Sequence, residues 1–356
     1  MYIGKLTLSQ FRQFTYETFE FDPSLTYVQG DNATGKTTQL EAIRYLSTGR
    51  SFRTHRDQRV IQHGTHSFSV RGEFSGNTPP ISLHYKKPEG ETGQKTVKQG
   101  EQTLDRLSRL RHEFPTVLFT PSHLDLLERG PSGRRSFLNE LLSFIDPKYV
   151  DRYSEYKTYL DRRNALLKKK DPDTVLIDQF EEKMSEQAQY IIRCRKELIP
   201  RLKDAFLKEV KKVLDESAPV DIHYEPDVED QHNIRDQFQS ERSQAFQRGF
   251  TTIGPQRDDF KVVFNDRPAN RYASRGQLRA LVYALKMAES YVKINHGERS
   301  PVHLFDHLSS ELDTDRFERC IQRAQEDSRQ WVLTGTESFE RYDRINQEQV
   351  RVLNSD

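Results

Sequence analysis

Residues Gly30-Asp31-Asn32-Ala33-Thr34-Gly35-Lys36-Thr37 spell G-x-x-x-x-G-K-T, and their surroundings give the pattern a mechanism. Before them runs Leu25-Thr26-Tyr27-Val28-Gln29, short and rich in strand formers. After them runs Thr38-Gln39-Leu40-Glu41-Ala42-Ile43-Arg44-Tyr45-Leu46, in which Leu40, Ile43 and Leu46 share one helical face. The glycines let backbone N–H groups curl around an anion, and the helix N-terminus adds partial positive charge. Lys36 can reach the β- and γ-phosphates of a triphosphate, and the Thr37 hydroxyl suits Mg²⁺. An ordinary glycine turn is the bland alternative, and strand and helix on either side argue against it. The stretch from Gly30 to Thr38 therefore predicts a nucleoside triphosphate site with Mg²⁺.

The chain around this loop has 356 residues, enough for two domains or for one domain with a large insertion. Apolar residues make up 34% and charged residues 31%, which predicts a modest core and much solvated helix rather than disorder. A net charge of +1 excludes a whole-molecule field for polyanions, so any nucleic-acid site must be a local patch. Cys194 and Cys320 are too few for a disulfide framework and lack metal-ligand spacing, which fits reduced thiols and a cytoplasmic location. Met1 to Leu8 reads as a strand rather than a signal peptide, and no apolar run is long enough for a bilayer. No membrane association is expected.

Three segments emerge along the chain: residues 1–115, 116–250 and 251–356. The first is β-rich with one helix, and 66–74 with 81–86 reads as a hairpin turning at Gly76-Asn77 and Pro79-Pro80. The second carries three helical patterns, marked by Phe137 to Ile145, Tyr149 to Leu166 and Phe180 to Leu198. Pro200 is tolerable only near a helix end or as a kink. An acidic stretch from Asp215 to Glu241, including Glu216, Glu229 and Asp230, reads as a strand near Ile222-His223-Tyr224 and then a mobile loop. In the third segment β and α elements alternate again and end in a buried strand, Gln330 to Thr334. The outline is an α/β nucleotide-binding domain split by a helical lobe.

Two C-terminal segments narrow the class. Pro301-Val302-His303-Leu304-Phe305-Asp306 is an apolar strand ending in an aspartate. There it should lie beside the phosphate loop in a parallel sheet and hold Mg²⁺ or its water shell. Ala273-Ser274-Arg275-Gly276-Gln277-Leu278-Arg279 opens a helix with Leu278, Leu281, Val282, Leu285, Ala288 and Val292 facing inward. Ser274 and Gln277 read as a capping box, and the free N–H groups of the same helix start read as a second anion site.

The order of these parts resembles the ABC-type ATPase heads of the SMC-like group, and within that group the RecF family of bacterial recombination and repair proteins. The resemblance covers nearly the whole chain. It rests on Leu8 to Arg12, the loop with Leu40 to Ile43, Gly49-Arg50-Ser51-Phe52-Arg53-Thr54, and Leu118-Phe119-Thr120-Pro121. It continues through Gly130-Pro131-Ser132-Gly133-Arg134-Arg135, Gly254-Pro255-Gln256-Arg257-Asp258-Asp259, the Ser274 segment and Ser310-Glu311-Leu312-Asp313. It implies an ABC-type head with an inserted, mainly helical lobe and no long coiled coil. It also implies ATP-dependent homodimerisation, with Ser274, Arg275, Gly276 and Gln277 facing the γ-phosphate on another protomer's loop. Binding to single-stranded or gapped DNA, and partnership with RecR in the RecO/RecR recombinase-loading machinery, follow from it too. Arg53 is allowed either an ATP or a DNA contact.

Three positions depart from the family pattern. Ala33 replaces a loop glycine, Gln256 stands where histidine is usual, and His307 follows Asp306 where a second carboxylate is normal. That carboxylate would orient or deprotonate the attacking water, and a neutral histidine can also accept a proton. With Lys36, Asp306 and His307 as the catalytic candidates, a slow DNA-stimulated ATPase is expected. The alternative is a non-hydrolysing ATP switch that only dimerises and recruits. A transporter subunit is disfavoured by the large charged lobe, a P-loop kinase by the Ser274 segment, and a full SMC protein by the lack of sustained heptads.

DNA affinity needs cations aligned with phosphates. The candidates are Arg50, Arg53, Arg56 and Arg59; Arg106, Arg109 and Arg111; Arg134 and Arg135; and Arg162, Arg163, Lys168, Lys169 and Lys170. Charge runs on helices are more often solvated faces. No helix-turn-helix or zinc-finger pattern points to sequence-specific readout.

Overall fold

A computed structural model describes residues 1–88, 90–105, 107–214, 219–228, 233–297, 299–342, 346 and 350–355. Arg106, Asp215, Glu216, Glu229 and Asp230 lie outside them. The chain begins with strands β1 (Ile3–Phe11), β2 (Phe14–Glu20) and β3 (Leu25–Gln29), followed by helix α1 (Lys36–Thr48). Strands β4 (Ser67–Phe74), β5 (Ile81–Lys86), β6 (Gln94–Gln99) and β7 (Gln102–Thr103), a turn of helix α2 (Leu110–Glu113) and β8 (Thr116–Phe119) follow. Next come α3 (Asp125–Glu128), α4 (Pro131–Ile145), α5 (Pro147–Leu167), α6 (Thr174–Val213), β9 (Val220–Glu225), α7 (Ile234–Ser240) and α8 (Arg242–Arg248). Strands β10 (Asp259–Phe264) and β11 (Arg267–Pro268) lead to α9 (Ala269–Tyr272) and α10 (Arg275–His296). The chain closes with β12 (Val302–Phe305), α11 (Leu308–Glu311), α12 (Thr314–Glu326), β13 (Trp331–Gly335) and β14 (Arg351–Asn354).

Two compact units result, one of Met1–His123 with Lys293–Asp356 and one of Leu124–Val292. The first holds an antiparallel sheet ordered β2-β1-β4-β5-β6-β7 and a parallel sheet ordered β14-β3-β13-β12-β8. Helix α1 touches β4 and β5 of one sheet and β8, β12 and β13 of the other. This explains why it is buried almost all round rather than along the single face its sequence suggests. The shared core joins Leu40, Ile43 and Leu46 to Leu6, Val70 and Leu83 from the antiparallel sheet and to Val28, Leu304 and Val332 from the parallel one. The expected hairpin is present as β4 and β5, with Ser67 opposite Lys86.

The second unit packs α5 along α6, and its small antiparallel sheet is ordered β11-β10-β9. Strand pairing moves both expected segment boundaries. Residues 116–119 form β8, which pairs in parallel with β12 of the first unit, so they are not part of the lobe. Residues 251–292 stay with the lobe because β10 pairs with β9 from Asp259 opposite Glu225 to Phe264 opposite Val220.

Two local expectations also change. The described part of the acidic stretch beyond β9 includes α7, with Ile234 and Phe238 buried, rather than only loop. Helix α6 continues through Pro200, although proline removes one helical hydrogen bond. Its buried face has Ile191, Ile192 and Leu198 before that point and Leu202, Ala205 and Phe206 after it, so packing on both sides offsets the missing bond.

Candidate nucleotide-binding site

Strand β3 delivers the chain to the loop, and Gly35 serves as the N-cap of α1 at φ 108°. A side chain at Gly35 would strike the Phe14 ring and the Gln13 amide, while one at Gly30 would come within 2.5 Å of the Ser355 carbonyl. Both positions need glycine because neighbouring atoms close over the loop. Ala33 sits at φ 71°, left-handed backbone that costs alanine on the order of 1 kcal/mol. The Lys36 ammonium turns inward and donates to the carbonyls of Gly30, at 2.8 Å, and Asp31. Burial lowers its pKa from the ordinary value, with Asp306 and then Asp31 pulling the other way.

Asp306 follows directly on β12, and β13 intervenes between β12 and β3, so the aspartate is one strand further from the loop than expected. It still reaches the helix start: the Thr37 hydroxyl donates to its carboxylate at 2.8 and 3.0 Å. The Thr334 hydroxyl, from β13, donates to the same carboxylate at 2.7 Å. His307 lies in left-handed backbone at φ 53°, with Nε2 3.9 Å from Asp306 Oδ1. A hydroxyl beside a carboxylate is a hard-oxygen pair that fits Mg²⁺, and the ring of His307 stands next to it.

A recess of about 260 Å³ is lined by Gln13, Asn32, Ala33, Gly35, Lys36, Thr37, Thr38, Arg53 and His307. It gathers most of the predicted nucleotide residues of the first unit, and Gly30, Asp31 and Thr34 complete the loop. Gln13 is a residue the sequence reading missed. Its amide reaches the Ala33 carbonyl at 3.4 Å, and its Oε1 accepts from the Thr38 hydroxyl at 3.2 Å. Nothing in the sequence marks it, because the β1–β2 turn brings it there. Arg53 is held by buried Glu41 at 3.3 Å, and Glu41 is itself clamped by Arg12 Nε and Nη2 and by Ser51.

Ser274 to Gln277 belong to the second unit. The capping box forms in both directions: the Ser274 N–H donates to Gln277 Oε1 at 2.8 Å, and the Gln277 N–H to Ser274 Oγ at 3.2 Å. Ser274, Arg275 and Gly276 are exposed, while Leu278, Leu281, Val282, Leu285, Ala288 and Val292 are all buried.

A family model for the RecF/RecN/SMC N-terminal domain matches residues 2–346. DNA replication and repair protein RecF of Leptospira interrogans is 31% identical over 321 residues, covering 90% of this chain and 88% of its own. The chain belongs to the RecF family. The protein of the same description from Symbiobacterium thermophilum is 32% identical over 336 residues, covering 92% and 89%. A solved structure of the recombination mediator protein RecF with ATP superposes with a TM-score of 0.85 at 27% identity, covering 95% of this chain and 93% of that one. The Smc head domain of Pyrococcus furiosus, at 14% identity, TM-score 0.55 and coverage of 94% and 90%, shares the fold. The fold is thus the ABC-type head of the SMC-like group with an inserted, mainly helical lobe. Its longest described helix is the 40-residue α6.

Two of the segments on which the sequence resemblance rests, residues 130–135 and 254–259, meet inside the lobe. Arg134 makes a two-pronged ion pair with Asp259 at 2.7 and 2.8 Å and also donates to the carbonyls of Leu126 and Arg129. Asp258, fully buried, takes Arg195 at 2.7 Å and the Tyr224 hydroxyl at 2.6 Å. Gln256 accepts from the Tyr156 hydroxyl and donates to the Ile253 carbonyl at 2.7 Å. Arg195 and Tyr224 carry no sequence signal for this network, since their partners are distant in the chain.

These bonds correct the DNA candidates. Arg134 is buried and fully engaged, and Arg163 is buried against Glu181 at 2.7 Å and Thr251 at 2.8 Å, so neither guanidinium is offered to a phosphate. Arg135 is half-buried and donates to the Asp258 carbonyl at 3.1 Å; burial, then neighbouring Arg195, pulls its pKa down. Arg56, Arg59, Arg162, Lys168, Lys169 and Lys170 are exposed.

Proposed function

We propose that this RecF-family chain binds ATP with Mg²⁺, dimerises on it and acts on single-stranded or gapped DNA in recombinational repair and replication restart. The observation that carries the reading is the Thr37–Asp306 contact, which joins the phosphate loop to a strand-end carboxylate beside a recess of nucleotide-binding residues. The relative solved with ATP, in a RecFOR pathway, supports the choice of nucleotide.

Each residue has a role in this reading. The N–H groups of Gly35 to Thr38 face phosphate oxygens, and Lys36 leaves the carbonyls of Gly30 and Asp31 to pair with them. Thr37 and Asp306 would hold the cation, which would supply positive charge against the phosphates. Ser274 to Gln277 of a second copy close the site over the γ-phosphate, a role that the exposure of Ser274, Arg275 and Gly276 supports. His307, in the recess, takes the place next to Asp306 from which a water can be oriented. Dimerisation then presents a joint surface to DNA, and RecR is the proposed partner in loading recombinase.

Sizing the protein with and without ATP, and then with gapped DNA, tests the reading. A shift to dimer with ATP and a further complex with DNA are expected, and a monomer under all three conditions overturns it. The second reading, a switch that dimerises without turnover, rests on His307 standing where a carboxylate is usual. ATP-dependent dimerisation with no phosphate release would favour it.

A further inference from the structure

We propose that Thr334 is a positioning residue for the cation end of the nucleotide site, its one hydroxyl fixing both the Asp306 carboxylate and the backbone of His307. The proposal rests on the nucleotide-site reading above and extends it to a residue outside the phosphate loop and the strand-end aspartate.

Strands β12 and β13 pair in parallel with Phe305 opposite Leu333, so the next residues along, Asp306 and Thr334, emerge side by side. The Thr334 hydroxyl donates to Asp306 Oδ1 at 2.7 Å and accepts from the His307 N–H at 3.1 Å. Both capacities of one hydroxyl are in use, and both partners belong to the site. The residue is 1% exposed and Asp306 is 5% exposed, so water does not replace these bonds easily.

Strand packing alone does not call for a hydroxyl there. Val332 and Leu333 fill the preceding positions of β13, and valine at 334 would have nearly the shape of threonine, a better strand preference and no polar atom to bury. The hydroxyl answers to its two partners instead. Thr37 has a duty to the cation in this reading, which leaves Thr334 as the donor that holds the carboxylate from the other side. It also anchors His307 in left-handed backbone, the conformation from which α11 starts. A rotated carboxylate would no longer meet Thr37, and a released His307 would change the entry to Ser310 and Asp313.

The test is the Mg²⁺ dependence of binding of a fluorescent ATP analogue to the full chain, with melting temperature followed in parallel. Thr334→Val should raise the Mg²⁺ concentration for half-maximal binding by about tenfold or more, as loss of a residue supporting a metal ligand typically does. Thr334→Ser, which keeps the hydroxyl, should stay within about twofold of the parent. A lower melting temperature in Thr334→Val with the parent's Mg²⁺ midpoint overturns the proposal and leaves a packing role. A serine variant as impaired as valine overturns it too, because then the methyl group matters. Should valine not fold, Thr334→Ala takes its place under the same criteria. If the parent binds the analogue but Mg²⁺ has no effect, the proposal fails and the nucleotide reading stands. No binding by the parent overturns both.

Discussion

At position 307 the backbone and the side chain make separate demands. Left-handed backbone there, held by Thr334, is tolerated by histidine and by aspartate better than by most residues. The side chain decides the chemistry, because it places an imidazole 3.9 Å from Asp306 where the family resemblance implies a carboxylate. His307→Asp restores a carboxylate without changing the backbone preference. Single-turnover hydrolysis at saturating ATP should rise on the order of tenfold, less than the roughly hundredfold or more of a base added where none stood, because the imidazole can itself accept a proton. An unchanged or slower rate would mean that the imidazole already does this work or that the base lies elsewhere. The same residue scale separates what sequence could disclose. Lys36 and Thr37 are legible because phosphate chemistry fixes their spacing from the glycines. Gln13 and Thr334 are illegible because each reaches the site through a fold-level pairing, the β1–β2 turn in one case and the β12–β13 register in the other.

Elements show the limit more sharply. Hydrophobic period finds α1, α4, α5 and the inward face of α10, but it does not say which strand pairs with which. Hence residues 251–292 look like a continuation of the ATPase core until β10 is seen against β9. Arg134 and Arg163 look like cations for a polyanion because the sequence shows their charge and not the carboxylates of Asp259 and Glu181 that meet them. Strand β12 carries a prediction of its own. All four of its residues are buried, and the His303 ring stacks on Trp331 with centroids 4.2 Å apart. Burial, then Arg329, Arg323 and Lys293, holds its pKa well below the ordinary 6.5. The unfolded chain therefore takes up this proton first as pH falls. Stability from this group is complete above about pH 6.5 and is lost below it, by up to about 1.4 kcal/mol per pH unit until the folded-state pKa is reached. Denaturant unfolding of the parent and His303→Gln between pH 7 and pH 5 should give a shallower fall for the variant. Equal slopes would place the acid sensitivity in another group.

On the scale of the whole molecule, a net charge of +1 leaves DNA affinity to local arrangement. The ion pairs in the lobe remove Arg134 and Arg163 from the candidates, which concentrates the expectation on exposed positions. Lys168, Lys169 and Lys170 are consecutive, exposed and placed where α5 ends. They are near enough to act on one stretch of phosphates, and changing them touches no buried bond. Lys168→Glu, Lys169→Glu and Lys170→Glu combined should weaken binding to gapped DNA by about tenfold or more at low salt. The slope of log affinity against log salt should shrink in magnitude by up to about three, one counterion for each lost contact. Melting temperature and ATP-dependent dimerisation should stay at parental values, which separates loss of a DNA contact from loss of fold or of the nucleotide site. Identical isotherms for parent and variant would remove this cluster and leave Arg56, Arg59 and Arg162 to reverse next, with Arg50, Arg53 and Arg109 among the other exposed candidates.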